Sequence, residues 1–248
     1  MIDAAKSGLA ETVAAAFEWW RDAGVDRCWE DQPQSWIAPP EPPAQEEASP
    51  SPVVMAAPAP IAQGPDRSNW PTAFDAFFPY WLQDQWLDTS PREARVAPRG
   101  QLGADLMVLV GEPEQQDSDR LLSGPQGRLL DAMLAAMGIE EAKVYCASIL
   151  PRATPHADWA ALRARGLGDL ALHHIALAAP KRLIAFGGHL LPLLGHDPAN
   201  NLPISTEVNH GSGKIPMLAA RDLAVLLERP RWKARFWQSW LEWTRDAK

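Results

Sequence analysis

Glu112, in Gly111-Glu112-Pro113, and His189, in Gly187-Gly188-His189, each stand directly after a short apolar run. A carboxylate can position or activate a water, and an imidazole can exchange a proton near neutral pH. Glu112 is a candidate catalytic acid, or equally a carboxylate at the entrance of the next helix. His189, with Gly187 beside it, is a candidate ligand contact. Asp222 is a candidate acid–base group, or the N-cap of a helix over 222–228, where a negative charge suits the helix dipole. His173 and His174 are neighbours in one helical stretch and cannot both face a single metal; each is expected at the surface or half-buried. His210 lies in NHGSGK (209–214), which reads as turn chemistry, and Gly211-Ser212-Gly213 is too short for a phosphate loop. The chain has two cysteines, Cys28 and Cys146. That excludes a disulfide framework and a four-thiolate cluster, and both read as packed thiols. No Ser/His/Asp set has positional support.

The C-terminal run RPRWKARFWQSWLEWTR (229–245) mixes cations with aromatics. Arg229, Arg231, Lys233 and Arg235 form a basic cluster. Trp232, Phe236, Trp240 and Trp243 fall on one helical stripe. The stripe is either the inner face of a helix docked on a sheet or a surface for a partner or nucleic acid. In the second case Arg229, Arg231, Lys233, Arg235 and Trp240 are the candidate contacts, arginines for phosphates and rings for stacking.

The elements that must position these residues alternate. LMVLVG (106–111), KVYCASIL (143–150) and RLIAFG (182–187) read as buried strands. Helices are expected over 126–138, over 157–178 with a break near Gly166 and Gly168, from His189 to Gly195, and over 222–228 and 231–246. EVNHGSGKIPML (207–218) reads as a tight turn between extended segments. This order implies an α/β fold: a three-layer α/β/α arrangement around a mostly parallel sheet. Ligands of such sheets bind beyond the carboxyl ends of the strands. Those ends are Gly111-Glu112-Pro113, Ser148 to Pro151, and Gly187-Gly188-His189.

Residues 1–37 are expected to be a helical segment, with Leu9, Val13, Ala16, Phe17 and Trp20 at helical spacing over 4–22. Residues 38–67 read as a proline- and alanine-rich disordered linker, with nine prolines in 38–65 and too few large apolar groups to order it. The α/β domain is expected over 68–248. Its first segment, NWPTAFDAFFPYWLQDQWL (69–87), is either a helix packed on the core or an exposed docking segment. A net charge of −8 means that any nucleic-acid contact must come from a local basic patch. No signal peptide and no membrane-length apolar run is visible, so a cytoplasmic protein without membrane contact is expected.

VLVGEP (108–113), LSGPQGRLLDAMLAAMGI (122–139), VYCASIL (144–150), APKRLIAFGGHLLPLLG (179–195) and IPMLAARDLAVLLERPRWKARFW (215–237) follow one another in an order and spacing that resemble the uracil-DNA glycosylase superfamily, its iron–sulfur family 4 above all. FEWWRDAGVD (17–26) is similar to an N-terminal helix of some relatives. The resemblance implies the fold just described. It also implies a pocket that holds an extruded base by an acid, a stacking ring, an Asn amide and a His that donates to the developing oxyanion.

Glu112 matches the acid. Leu122 stands at the position of the stacking Phe and has no π face. Ser148 stands at the Asn and reproduces only part of its contact. Asp222-Leu223 replaces His-Pro, which puts a negative charge where a negative charge develops. Glu114 replaces part of the Gly-Glu-x-Pro-Gly loop, and the cluster cysteines are missing, so an iron–sulfur cluster or other cofactor is not expected. Base contact, stacking and oxyanion donor together are worth roughly 5–10 kcal/mol, or on the order of 10³ to 10⁷ in rate. The expectation is a catalytically degenerate member that acts in DNA replication or repair, through single-stranded or lesion-containing DNA or through replication or repair proteins. The alternative is an active glycosylase of altered specificity. A weaker resemblance, to the psi subunit of the bacterial clamp loader, rests on overall order and a Trp-containing last helix, and points to protein bridging.

Overall fold

The computed structural model describes residues 3–22, 67–83, 95–211 and 213–246. The linker read over 38–67 lies, but for Arg67, outside the described residues, as do Cys28 and Ser212. The chain divides into two units, Met1–Met55 and Ala56–Lys248. In the first, α1 (Asp3–Asp22) is the helix expected from the 4–22 periodicity. Every side chain described in it, Glu11 to Asp22, is exposed, Val13, Phe17 and Trp20 included.

The second unit opens with α2 (Phe74–Gln83), where Phe77 and Trp81 are buried. Among the described residues, the aromatic segment is therefore a packed helix. There follow β1 (Leu106–Val110), α3 (Pro125–Met137), β2 (Val144–Ser148), α4 (Trp159–Ala164), α5 (Leu167–Ala178), β3 (Leu183–Phe186), α6 (Leu190–Leu193), β4 (Ile204–Asn209), β5 (Lys214–Ala220), α7 (Leu223–Glu228) and α8 (Pro230–Asp246). Gly166, in the left-handed conformation, separates α4 from α5 at the expected break. The turn read over 207–218 is the hairpin between β4 and β5.

The sheet order is β2-β1-β3-β5-β4. β1 pairs in parallel with β2 and β3, and β3 with β5; β4 is the antiparallel edge. β1 and β3 are apolar and buried throughout, β2 is buried throughout with only Tyr145 and Ser148 carrying hydroxyls, and β5 is apolar and buried from Met217 to Ala220, as strands covered on both faces must be. Side chains alternate between the faces. Met107, Leu109, Tyr145, Ala147, Leu183, Ala185, Met217 and Ala219 pack with α2, α5 and α6. Leu106, Val108, Val110, Val144, Cys146, Ile184, Phe186, Leu218 and Ala220 pack with α3, α7 and α8. The three-layer α/β/α arrangement follows from that alternation.

α8 resolves the two readings of the tryptophan stripe. Phe236, Trp240 and Trp243 are buried against the sheet, and the Arg182 guanidinium lies over Trp240 and Trp243, 5.6 and 5.7 Å from their centroids. Trp240, read as a candidate contact, is thus largely covered. Its ring, 4% exposed, fills the layer between α8 and the sheet. His174 is likewise neither at the surface nor half-buried. It is 4% exposed, 2.6 Å from the Tyr145 hydroxyl and stacked on Phe77. Burial holds its pKa down at about 3, so the imidazole is neutral. His173 is the outer member of the pair and meets the Pro71 carbonyl at 2.7 Å.

The loop between β1 and α3 is built on two carboxylates. Glu114, 6% exposed, accepts the backbone N–H groups of Gly124, Gln126 and Gly127. These belong to the first turn of α3, whose amides have no partner within the helix. Asp117 accepts the N–H groups of Glu114, Leu122 and Ser123 and the Ser123 hydroxyl. This pulls the backbone into a turn that places Leu122 at φ 56°. Gly127 has no room for a side chain, because a Cβ there would overlap the Leu122 carbonyl oxygen. The helix-entrance role read for Glu112 therefore belongs to Glu114. Replacing Glu114 with Ala leaves three amides without an acceptor and is expected to destabilise the domain by about 3 kcal/mol. Glu112→Ala, which removes one acceptor at a loop edge, is expected to cost about 1 kcal/mol. Urea denaturation of both variants checks the difference.

Candidate functional site

Beyond the carboxyl ends of β1, β3 and β5 lies an open cleft of about 610 Å³, lined among others by Glu112, Thr154, Trp159, His189, Asp222 and Glu228. Three strand ends explain why these residues meet. Gly111 and Glu112 leave β1, Gly187 to His189 leave β3, and Asp222 leaves β5. Parallel neighbours end side by side, so residues far apart in sequence share one rim.

His189 is the centre of the cluster. It precedes α6 and stacks on Trp159, with ring centroids 4.3 Å apart and planes 29° apart. Its Nδ1 stands 3.7 Å from the Asp222 carboxylate. Its Nε2 is buried and has no hydrogen-bond partner among the described residues. The two small residues at the strand ends make this position possible. A Cβ on Gly111 would collide with Nε2, and one on Gly187, which has φ 129°, would meet both the His189 ring and the Asp222 carboxylate. Burial lowers the His189 pKa below the usual imidazole value, opposed by the charges of Asp222 and then Glu112. A neutral ring with its proton on Nδ1 towards Asp222 leaves Nε2 as an acceptor. Such an acceptor can take a proton from a water or a substrate hydroxyl once a small movement of the ring or of Trp159 uncovers Nε2.

Glu112 faces the same cleft, and its carboxylate accepts the Thr154 N–H across from the β2–α4 loop. Asp222 stands at the N-cap of α7, yet its side chain makes no capping hydrogen bond; its partner is His189. Asp222 thus occupies the N-cap position without capping, and its charge is directed at the imidazole.

The other pocket positions are elsewhere. Leu122 is 3% exposed and packs among Leu121, Leu130 and Val110, on the α3 side of the sheet. Ser148, 1% exposed, ends β2 beside a small interior void shared with Phe77, Trp81 and His174. Neither lines the cleft. The reason is the same in both cases: the Asp117 turn tucks Leu122 under the loop, and β2 stays within the covered part of the sheet.

Arg229, Arg231 and Arg235 are exposed and Lys233 is half-buried, around the junction of α7 and α8. Trp159 could not be singled out in the sequence. It reads there as one more apolar residue in a helix, and only the fold brings it to His189. A second concavity, of about 650 Å³, lies at the amino ends of the strands between α3 and α8, next to Asp105, Lys143, Arg182 and Trp237. It is remote from the strand ends where α/β sheets carry chemistry.

The chain matches no protein-family model, and no curated protein sequence matches it.

An iron–sulfur cluster does not fit the donors present. The whole chain has two cysteines. Cys146 is buried in mid-β2, and burial pushes its thiol up to about 11, which keeps it protonated. No group of His, Cys, Asp and Glu side chains able to hold a metal ion occurs among the described residues, and none of their helices is long and apolar enough to cross a membrane.

The imidazole resonance of His189, followed by NMR, is expected to titrate below 6.5. Asp222→Asn is expected to move the midpoint further down, since the lost charge had favoured the cation. Because the folded state disfavours the protonated ring, its contribution to stability is full above pH 6.5 and is lost as the pH falls from there towards the folded midpoint. A midpoint that rises in Asp222→Asn would show that the carboxylate does not act on His189.

Proposed function

We propose that the chain is a catalytically degenerate uracil-DNA-glycosylase-like protein that acts in DNA replication or repair by binding DNA or protein partners. The observation that carries this reading is the placement of Leu122 and Ser148. By resemblance these are the positions of the stacking ring and the pyrimidine-reading amide. Both are buried side chains outside the cleft. The cleft itself is lined by Glu112, Asp222 and Glu228, carboxylates that repel both a phosphate and a developing oxyanion. A base entering this cleft meets no amide at the family's position, and Trp159 is already stacked by His189.

A second reading is favoured by one observation, the His189 Nε2 left without a partner in a residue that lines the cleft together with Glu112 and Asp222. On it, the chain is a glycosylase of altered specificity, with His189 or Glu112 activating the water that attacks the glycosidic carbon.

Full-length protein incubated with single-stranded and duplex DNA containing uracil or hypoxanthine is expected to give no alkali-labile sites, even with protein in excess over DNA. Multiple-turnover release of a free base, abolished in His189→Ala, would replace the first reading with the second. Affinity capture from a native extract is expected to recover replication or repair proteins.

A further inference from the structure

Over residues 221–235 the acidic chain reverses sign. Arg221, Arg229, Arg231, Lys233 and Arg235 stand against Asp222 and Glu228, five cations to two carboxylates, in a protein of net charge −8. The fold then gathers them. Trp232, half-buried at the start of α8, has the Arg221 guanidinium over its ring at 3.9 Å, with Arg231 and Arg235 at 5.1 and 5.8 Å. Arg221 is fixed in this pose by donating from Nη2 to the Asn200 carbonyl at 3.0 Å. Arg229, Arg231, Lys233 and Arg235 have no ion-pair partner among the described residues.

This arrangement is unfavourable by itself. Arg231 and Arg235 are four residues apart on one helix face, where like charges repel. The first turn of α8 contains no acidic residue to offset them. A bound polyanion removes both penalties. The geometry also selects among polyanions. Guanidinium planes held near an indole offer flat faces on which unpaired bases stack, as well as donors for phosphate oxygens. An acidic peptide would use only the charge.

The patch adjoins the cleft in chain and in space. Asp222 lies between Arg221 and α7, and Leu227 and Glu228, which line the cleft, lead into Arg229. The carboxylates of the cleft exclude a phosphate from it, so a backbone held by the arginines runs along the rim.

We propose that Arg221, Arg229, Arg231, Lys233 and Arg235, grouped around Trp232, form a binding site for single-stranded DNA that tracks along the cleft rim. The inference rests on the reading that the chain acts through binding and names DNA as the ligand. Trp240, once a candidate contact, has no part in it.

The test is fluorescence anisotropy of a short labelled single-stranded oligonucleotide with the full chain over a salt series. Binding is expected to weaken with salt with a log–log slope of about −3, as for four or five phosphate contacts. The triple variant R229Q/R231Q/R235Q, which leaves Arg221 and Lys233, is expected to bind at least about tenfold more weakly with a slope of about −1.4, while R229K/R231K/R235K keeps the slope. Photocrosslinking of a bromouracil oligonucleotide to the unaltered chain is expected to label peptides from 221–235, a readout that needs no variant. The proposal is overturned by an absence of binding at low salt, by crosslinks confined to other segments, or by affinity unchanged in the Gln variant. It is also overturned if polyglutamate displaces the oligonucleotide as well as unlabelled DNA does, which assigns the patch to an acidic protein. Any of these results leaves the degenerate-glycosylase reading standing through protein partners. Base release in the glycosylase assay would remove that reading without touching the patch.

Discussion

A parallel strand covered by helices on both faces has no side chain left for chemistry along its length, and that constraint orders everything else in this domain. In β1, β2 and β3 every residue is buried, alternately against α2, α5 and α6 and against α3, α7 and α8. Apart from the buried Tyr145 hydroxyl and Cys146 thiol of β2, polar side chains appear only where each strand runs out. Glu112, His189 and Asp222 are therefore brought together not by spacing in the chain but by the register that ends β1, β3 and β5 side by side.

The cleft that results has an electrostatic character of its own. Asp222 and Glu112 act on the His189 imidazole, whose charged form burial disfavours and which Trp159 covers on one face. Such a site is suited to a neutral or cationic group and poorly suited to phosphate. The cations lie just outside, on α8 and beside Arg221. Charge is thus partitioned over a short distance, acidic within and basic at the rim.

Several residues serve the scaffold where a sequence comparison would place function. Glu114 is spent on the three free amides of α3. Asp117 bends the loop that buries Leu122. α8 divides its work between two faces, with Phe236, Trp240 and Trp243 turned into the sheet and Arg231 and Arg235 turned out. A helix of this kind reads as a single basic, aromatic segment until one face is covered.

The elements themselves were legible in the sequence. Unbroken apolar runs read as strands covered on both sides, the 3.6-residue stripe of α8 read as one aromatic face that either docks on the sheet or meets a partner, and Gly166 marked a break that its left-handed backbone accommodates. The amino-acid sequence also limited thiol chemistry by holding only Cys28 and Cys146. Contact across the fold was not legible. Local patterning says which face of a strand or helix is apolar, but not which loop lies over its end. Hence Trp159 was invisible as a partner of His189, Glu112 and Glu114 could not be told apart as helix-entrance groups, and His174 could not be recognised as the buried member of its pair. Each of those assignments depends on which distant groups a side chain meets, and long-range packing alone decides that.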